Sequence, residues 1–138
     1  MLEKLKQWLQ TFPLWESDIR LQIDDTGVYP GNMGLYPCGV EELSRREDLL
    51  GTVTVRLRER YLLYRMVSGP RDDSSQWLQA LQQWVQRQSA MGLTPVLGDV
   101  PDREGIRAEQ GKLLSVSQSG QAKYSVRLTV EYEKQYER

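Results

Sequence analysis

Hydrophobic positions along the chain fall into a few clear periods. Residues 2 to 12 place Leu2, Leu5, Trp8, Leu9 and Phe12 at helical spacing, and Pro13 stops the run. Ile19, Leu21 and Ile23 then alternate with Arg20 and Gln22, the period of a half-buried strand, and DDTG at 24 to 27 ends it with turn chemistry. GVEELS (39 to 44) predicts a second, weaker strand. TVTVRLRERYLLYRMV (52 to 67) predicts the longest one. Its first half points Val53, Val55 and Leu57 inward, and its second half reads with Leu62, Tyr64 and Met66 inward. The phase therefore slips near Arg58 to Arg60, as a β-bulge would make it do.

From about Ser75 to Met91, Trp77, Leu78, Leu81, Trp84 and Val85 form a broad apolar stripe. Ser74 or Ser75 is placed to cap this helix, and Gly92 stands where a left-handed C-cap is expected. Residues 93 to 105 hold two prolines and two glycines and read as a loop. KLLSVS (112 to 117) and KYSVRLTVEYE (123 to 133) form a hairpin around Ser119 to Gln121. In its last strand Tyr124, Val126, Leu128, Val130 and Tyr132 face one way and polar residues the other, as in a sheet covered on one face. The sum is one α+β domain over residues 1–138, with two helices packed on one face of a mainly antiparallel sheet of four or five strands. Trp8, Trp15, Trp77 and Trp84 lie in or beside the helices and read as core.

Composition narrows the chemistry. The 138 residues carry 18 basic and 19 acidic side chains, a net charge of −1, which disfavours nonspecific nucleic-acid binding. Histidine is absent, which removes the commonest general base and neutral metal ligand. The single cysteine, Cys38, has no partner for an internal disulfide and reads as an incidental small residue. Neither a signal peptide nor a membrane-length apolar run is legible, so the cytoplasm is the expected compartment. The adjacent acidic pairs 41/42, 47/48 and 72/73 read as solvated or capping groups. No catalytic site, cofactor or metal is expected.

Two features remain. YPGNMGLYPCG (29 to 39) lacks the lysine and the glycine spacing of a phosphate loop. Pro30 and Gly31 suit a type II turn, and Gly34 permits another reversal. Tyr29, Pro30, Met33, Leu35 and Tyr36 then lie on a turn-rich loop that either folds back over the sheet edge or projects as a docking arm. Arg56, Arg58 and Arg60 share one strand face if the register is regular, diluted by Glu47, Asp48 and Glu59. That stripe suits a solvated face, salt bridges to a neighbouring subunit, or phosphates.

The segments LEKLKQWLQTFPLW (2 to 15), PGNMGLYPCGVEELSRREDLLG (30 to 51), WLQALQQWVQRQSAMG (77 to 92), GDVPDREGIRAEQGKL (98 to 113) and YSVRLTVEYEKQYE (124 to 137) resemble, in the same order, a family of small proteins from prophages of Gram-positive bacteria. These are described as minor capsid or tail-completion proteins. Within that class the chain looks like a tail terminator of long-tailed phages. The resemblance implies an α+β protein that forms a ring, commonly a hexamer, capping the tail tube and joining it to the head. It implies the tail-tube protein and the head–tail connector as partners, and a location in the host cytoplasm and then the virion. A head–tail connector or minor capsid role is the alternative, and a nucleic-acid-binding regulator ranks below it. Under this resemblance the 29 to 39 segment is expected to be the docking arm.

Overall fold

The computed structural model describes residues 1–16, 19–25, 32–68 and 72–138. Along the chain run α1 (Leu2–Leu9), β1 (Leu21–Ile23), β2 (Met33–Glu47), β3 (Thr52–Val67), α2 (Asp72–Ala90), a 3-10 turn (Pro101–Arg103), β4 (Gly105–Val116) and β5 (Ala122–Glu137). The strands form one sheet in the order β1-β2-β3-β5-β4. The β1–β2 pair is parallel and the other three are antiparallel. The expected α+β class is what the chain adopts.

Side chains with the predicted periods build the helical layer. Leu5, Trp8 and Leu9 of α1 are buried, and Phe12 stays in the core although the helix itself ends earlier than the pattern suggested. Trp8 stacks on Trp84 of α2 at 4.9 Å between ring centres, and Phe12 meets Trp77 edge-on at 5.4 Å. Such pairs add about 1 kcal/mol each beyond the area they bury. Helix α2 begins at Asp72, so Ser74 and Ser75 belong to its first turn and do not precede it as caps. Its end is as expected. Gly92 has φ +69°, and the Leu93 N–H donates to the Gln88 carbonyl at 2.9 Å, closing a Schellman-type turn.

Strand β3 corrects the expected phase slip. All 16 of its residues pair with β5 without a shift, from Thr52 opposite Glu137 to Val67 opposite Ala122. Odd positions therefore lie on the helical side of the sheet throughout, and Tyr61, Leu63, Arg65 and Val67 are buried. The apparent slip arises because two inward positions, Glu59 and Arg65, are charged while the outward Leu62, Tyr64 and Met66 are apolar. Arg65 is accommodated with its guanidinium 4.1 Å from the centre of the Trp77 ring.

The irregularity lies in β2 instead, with register shifts between Pro37 and Val40 and between Glu42 and Ser44. Gly39, with φ +109°, sits in the first of them. This also corrects the reading of 29 to 39. From Met33 onward the segment is strand, and Pro37 is tolerated because β1 pairs only as far as Leu35 and leaves that edge open. Thr26 to Gly31, including the predicted Pro30–Gly31 turn, lie outside the described residues. Strand β4 likewise begins at Gly105, earlier than the predicted 112.

The core stops short of the sheet. On β3 the central cluster reaches Tyr61, with Leu57 at its border. Beyond it, residues 44–47 of β2, 52–56 of β3 and 133–137 of β5 continue as a three-stranded extension past the start of β4. The phase of β3 yields a direct test. Leu63→Ala should cost roughly 2–5 kcal/mol in chemical denaturation, as for a fully buried leucine. Leu62→Ala, on the other face, should cost about 1 kcal/mol or less; the reverse ranking would restore the slipped phase.

Candidate assembly surfaces

The sequence-predicted contact residues separate into distinct environments. Met33 and Leu35 are fully buried against the helices, paired with Arg65 and Leu63 of β3. They are core side chains, so the expectation of an exposed arm at these two positions does not hold. Their inward phase follows from strand alternation, which the glycines and prolines around them disguised. Tyr36 points to the opposite face, edge-on to Tyr64 at 5.2 Å. Tyr29 and Pro30 lie outside the described residues.

Arg56, Arg58 and Arg60 do share one face, the one opposite the helices, because the register of β3 is regular. Their partners are within the chain. Glu131 and Glu133 of β5 stand on the same face and gather arginines from four other elements. Glu133, with no accessible side-chain surface, takes Arg46 of β2 at 3.1 Å, Arg103 of the 3-10 turn at 3.1 Å and Arg56 at 3.8 Å. Glu131 takes Arg56 at 3.2 Å, Arg107 of β4 at 3.3 Å and Arg58 at 3.5 Å. Arg60 and Arg58 also reach Glu41 of β2, at 3.5 Å and 3.9 Å.

The loop before β4 is locked to the same place. The Asp99 N–H donates to the Glu133 carbonyl at 2.8 Å, and the Asp99 carboxylate accepts from the Gln135 N–H at 2.8 Å. A Cβ at Gly98 would stand 2.3 Å from the Glu133 carbonyl oxygen, so only glycine permits this approach. Glu104 accepts from the Leu97 and Gly98 N–H groups and fixes the turn.

A polar concavity of about 480 Å³ opens beside this network, lined by Arg56, Arg103, Arg107 and Glu131 among others. Its arginines already hold carboxylates, so an incoming anion would have to displace Glu131 or Glu133. Among the described residues no group of three or more His, Cys, Asp or Glu is arranged to hold a metal ion. Among them also, no helix is long and apolar enough to cross a membrane. Cys38 is an exposed strand residue.

On the helical face, Tyr61 donates a hydrogen bond to Glu59. Burial, with that carboxylate beside it, pushes the Tyr61 phenol far above its ordinary range. Tyr132 is raised to about 12, by burial first and then by Glu59.

Sequence reasoning missed the most exposed apolar feature among the described residues, the turn Asp48-Leu49-Leu50-Gly51 joining β2 to β3. The Asp48 carboxylate accepts from the Leu50 and Thr52 N–H groups at 2.9 and 3.0 Å, and Gly51 has φ +88°. Asp and Gly are what this turn requires. Leucine is not, yet Leu49 and Leu50 are 105% and 91% exposed. The arm behind them is ion-paired, Arg45 to Glu42 at 2.7 Å and Arg138 to Glu47 at 3.2 Å. The open edge of β2 is guarded by Pro37, two bulges and alternating charges, devices that oppose strand addition. The signal available in the sequence was DLLG, two leucines inside a turn motif.

No family model and no curated protein matches the chain.

Two outcomes follow for this region. Glu133→Gln should lower stability by about 3 kcal/mol, since it leaves three arginines around a buried uncharged group; a denaturation midpoint within error of the parent would refute the network's role. The raised phenols stabilise the fold fully below about pH 10, the unfolded value, and Tyr132 loses that contribution as pH rises through about 12. Alkaline denaturation followed by tyrosinate absorbance should therefore show Tyr132→Phe to be less sensitive than the parent in that window.

Proposed function

We propose that this chain is a structural protein of a long-tailed phage, a tail terminator that assembles as a ring, caps the tail tube and joins it to the head. The observation that carries this reading is the arm: a sheet that outruns its helical layer and ends in two solvent-exposed leucines held by a built turn. Such a shape suits a part that works by contact. The resemblance of the five segments quoted above to prophage tail-completion proteins supplies the setting. A closed ring needs two different patches on each subunit, one meeting the other on its neighbour. A stiff arm at one end of the sheet and a helix-covered body at the other provide that asymmetry. One rim would fit the last ring of the tail-tube protein and the other the head–tail connector, and the same logic serves a connector or minor capsid role.

A second reading, nucleic-acid binding, draws on the arginines of the open face. Arg46, Arg56, Arg58, Arg60, Arg103 and Arg107 there meet Glu41, Glu131 and Glu133, a local surplus of cations. The net charge of −1 and the internal pairing of those arginines favour the assembly reading. Deleting the gene from an inducible phage should give heads without attached tails and tails of irregular length in electron micrographs. Normal-length, head-attached tails would defeat the terminator reading, and salt-sensitive retention of DNA in a mobility shift would favour the second.

A further inference from the structure

The sheet face opposite the helices changes character along its length. At one end Glu131 and Glu133 hold the arginines. At the other, strand pairing sets Tyr36 beside Leu62, Tyr64 beside Ser125 and Met66 beside Lys123, all on that same face. Gly34 and Ser125 flank Tyr64 and are too small to cover it. Tyr36, Leu62, Tyr64 and Met66 are each half-buried, and no helix among the described residues lies over them.

Lys112, Lys123 and Arg127 border these four side chains, placed there by their pairing with Ser125, Met66 and Leu62. Among the described residues they make no ion pair. Lys123 instead lies 4.3 Å from the centre of the Tyr64 ring, and the Arg127 Nε is buried without a hydrogen-bond partner. Glu109 stands opposite Arg127 in the register but is drawn to Arg107, at 3.7 Å. The result is an apolar centre with a basic border that the chain does not neutralise.

We propose that this surface docks an acidic amphipathic helix of a partner protein. The helix lays its apolar stripe on Tyr36, Leu62, Tyr64 and Met66 and sets its carboxylates against Lys112, Lys123 and Arg127. Dimensions agree. From β2 to β4 the face is about 14 Å wide, and from Arg60 to Met66 about 20 Å long. A helix of about 13 residues matches that length and fits within that width. Charge and ring geometry select this occupant over two others. A second copy laid face to face would bring one basic border against another. Single-stranded nucleic acid needs rings that lie flat beneath its bases, whereas the Tyr36 and Tyr64 rings stand at 75° to each other. An apolar stripe with acidic flanks satisfies both the centre and the border. The contact does not depend on the ring reading.

Fluorescence anisotropy with labelled synthetic peptides tests it. The probe is a capped helix of about 14 residues, leucine at i, i+3, i+4 and i+7 and glutamate elsewhere. One control replaces every glutamate by lysine, and another scrambles the leucine spacing. The glutamate probe should bind the full chain about tenfold more tightly than either control. Lys112→Glu combined with Lys123→Glu should weaken it about tenfold, and Leu62→Ala about fivefold, with circular dichroism verifying each fold. Equal binding of the three peptides, binding of none, or an affinity unchanged by the double charge reversal overturns the proposal. A dT oligonucleotide that binds more tightly and displaces the probe overturns it in favour of nucleic acid. A dimer in light scattering that Leu62→Ala disperses overturns it in favour of a second copy. All of these measurements use the isolated chain and peptides, so their failure leaves the phage deletion experiment untouched.

Discussion

Glu133 is the constraint on which the distal half of this molecule depends. A carboxylate without solvent cannot stay charged unless it is paired, and here three arginines from β2, β3 and the 3-10 turn supply the pairing. Each of those arginines is drawn across the sheet surface to one point. The same residue's backbone carbonyl receives the Asp99 N–H, so main chain and side chain anchor the same loop from two directions. Glu131, two residues earlier, repeats the pattern for Arg56, Arg58 and Arg107. Together they tie β2, β3, β4 and the loop onto β5 on a face that no helix covers. Hydrophobic burial organises one end of the sheet, and ion pairing organises the other.

That division explains the outline of the molecule. Aromatic packing between α1 and α2 needs breadth, and it fixes the helices over the part of the sheet where Leu63, Val126 and Leu128 converge. Past Tyr61 the strands continue without a second layer. Val53 and Val55 are nonetheless buried, bordering a smaller cavity lined also by Glu42, Arg45, Tyr136 and Arg138. A three-stranded ribbon of this kind is stiffer than a loop and presents its turn at a fixed distance from the body. The bulges and Pro37 keep its edge from recruiting stray strands, and the turn, with Leu49 and Leu50, carries more exposed apolar surface than Val40 or Tyr136 on the strands behind it.

Much of the layout was legible from periodicity. The helices, the regular alternation of β5, the left-handed stop at Gly92 and the shared face of the three arginines all follow from residue type and spacing. What misled were positions where a local rule yields to tertiary context. Arg65 occupies an inward site because Trp77 offers its ring face, and together with the inward Glu59 and the apolar residues facing outward it reversed the apparent phase of the second half of β3. Met33 and Leu35 sit among glycines and prolines that spell turns, and only pairing with β3 shows them to be strand. The gathering of arginines by Glu131 and Glu133 joins residues up to 87 positions apart, which no local pattern records. Leu49 and Leu50 were visible, but their meaning came from exposure, which a sequence does not display.

The aromatic layer has a consequence for spectroscopy. Trp8, Trp77, Trp84 and Trp15 are linked through ring contacts within or against the helical layer. Indole emission therefore reports on the helical half alone. Tyr136 stands in the arm and Tyr132 at its root, with neither in ring contact with a tryptophan among the described residues. Fraying of the arm would leave the indole signal unchanged and register only in the tyrosine band. Tyr36, Tyr61, Tyr64 and Tyr124 lie on or within the body, so the tyrosine band reads both ends of the sheet and the indole band reads the helical end, with no label required.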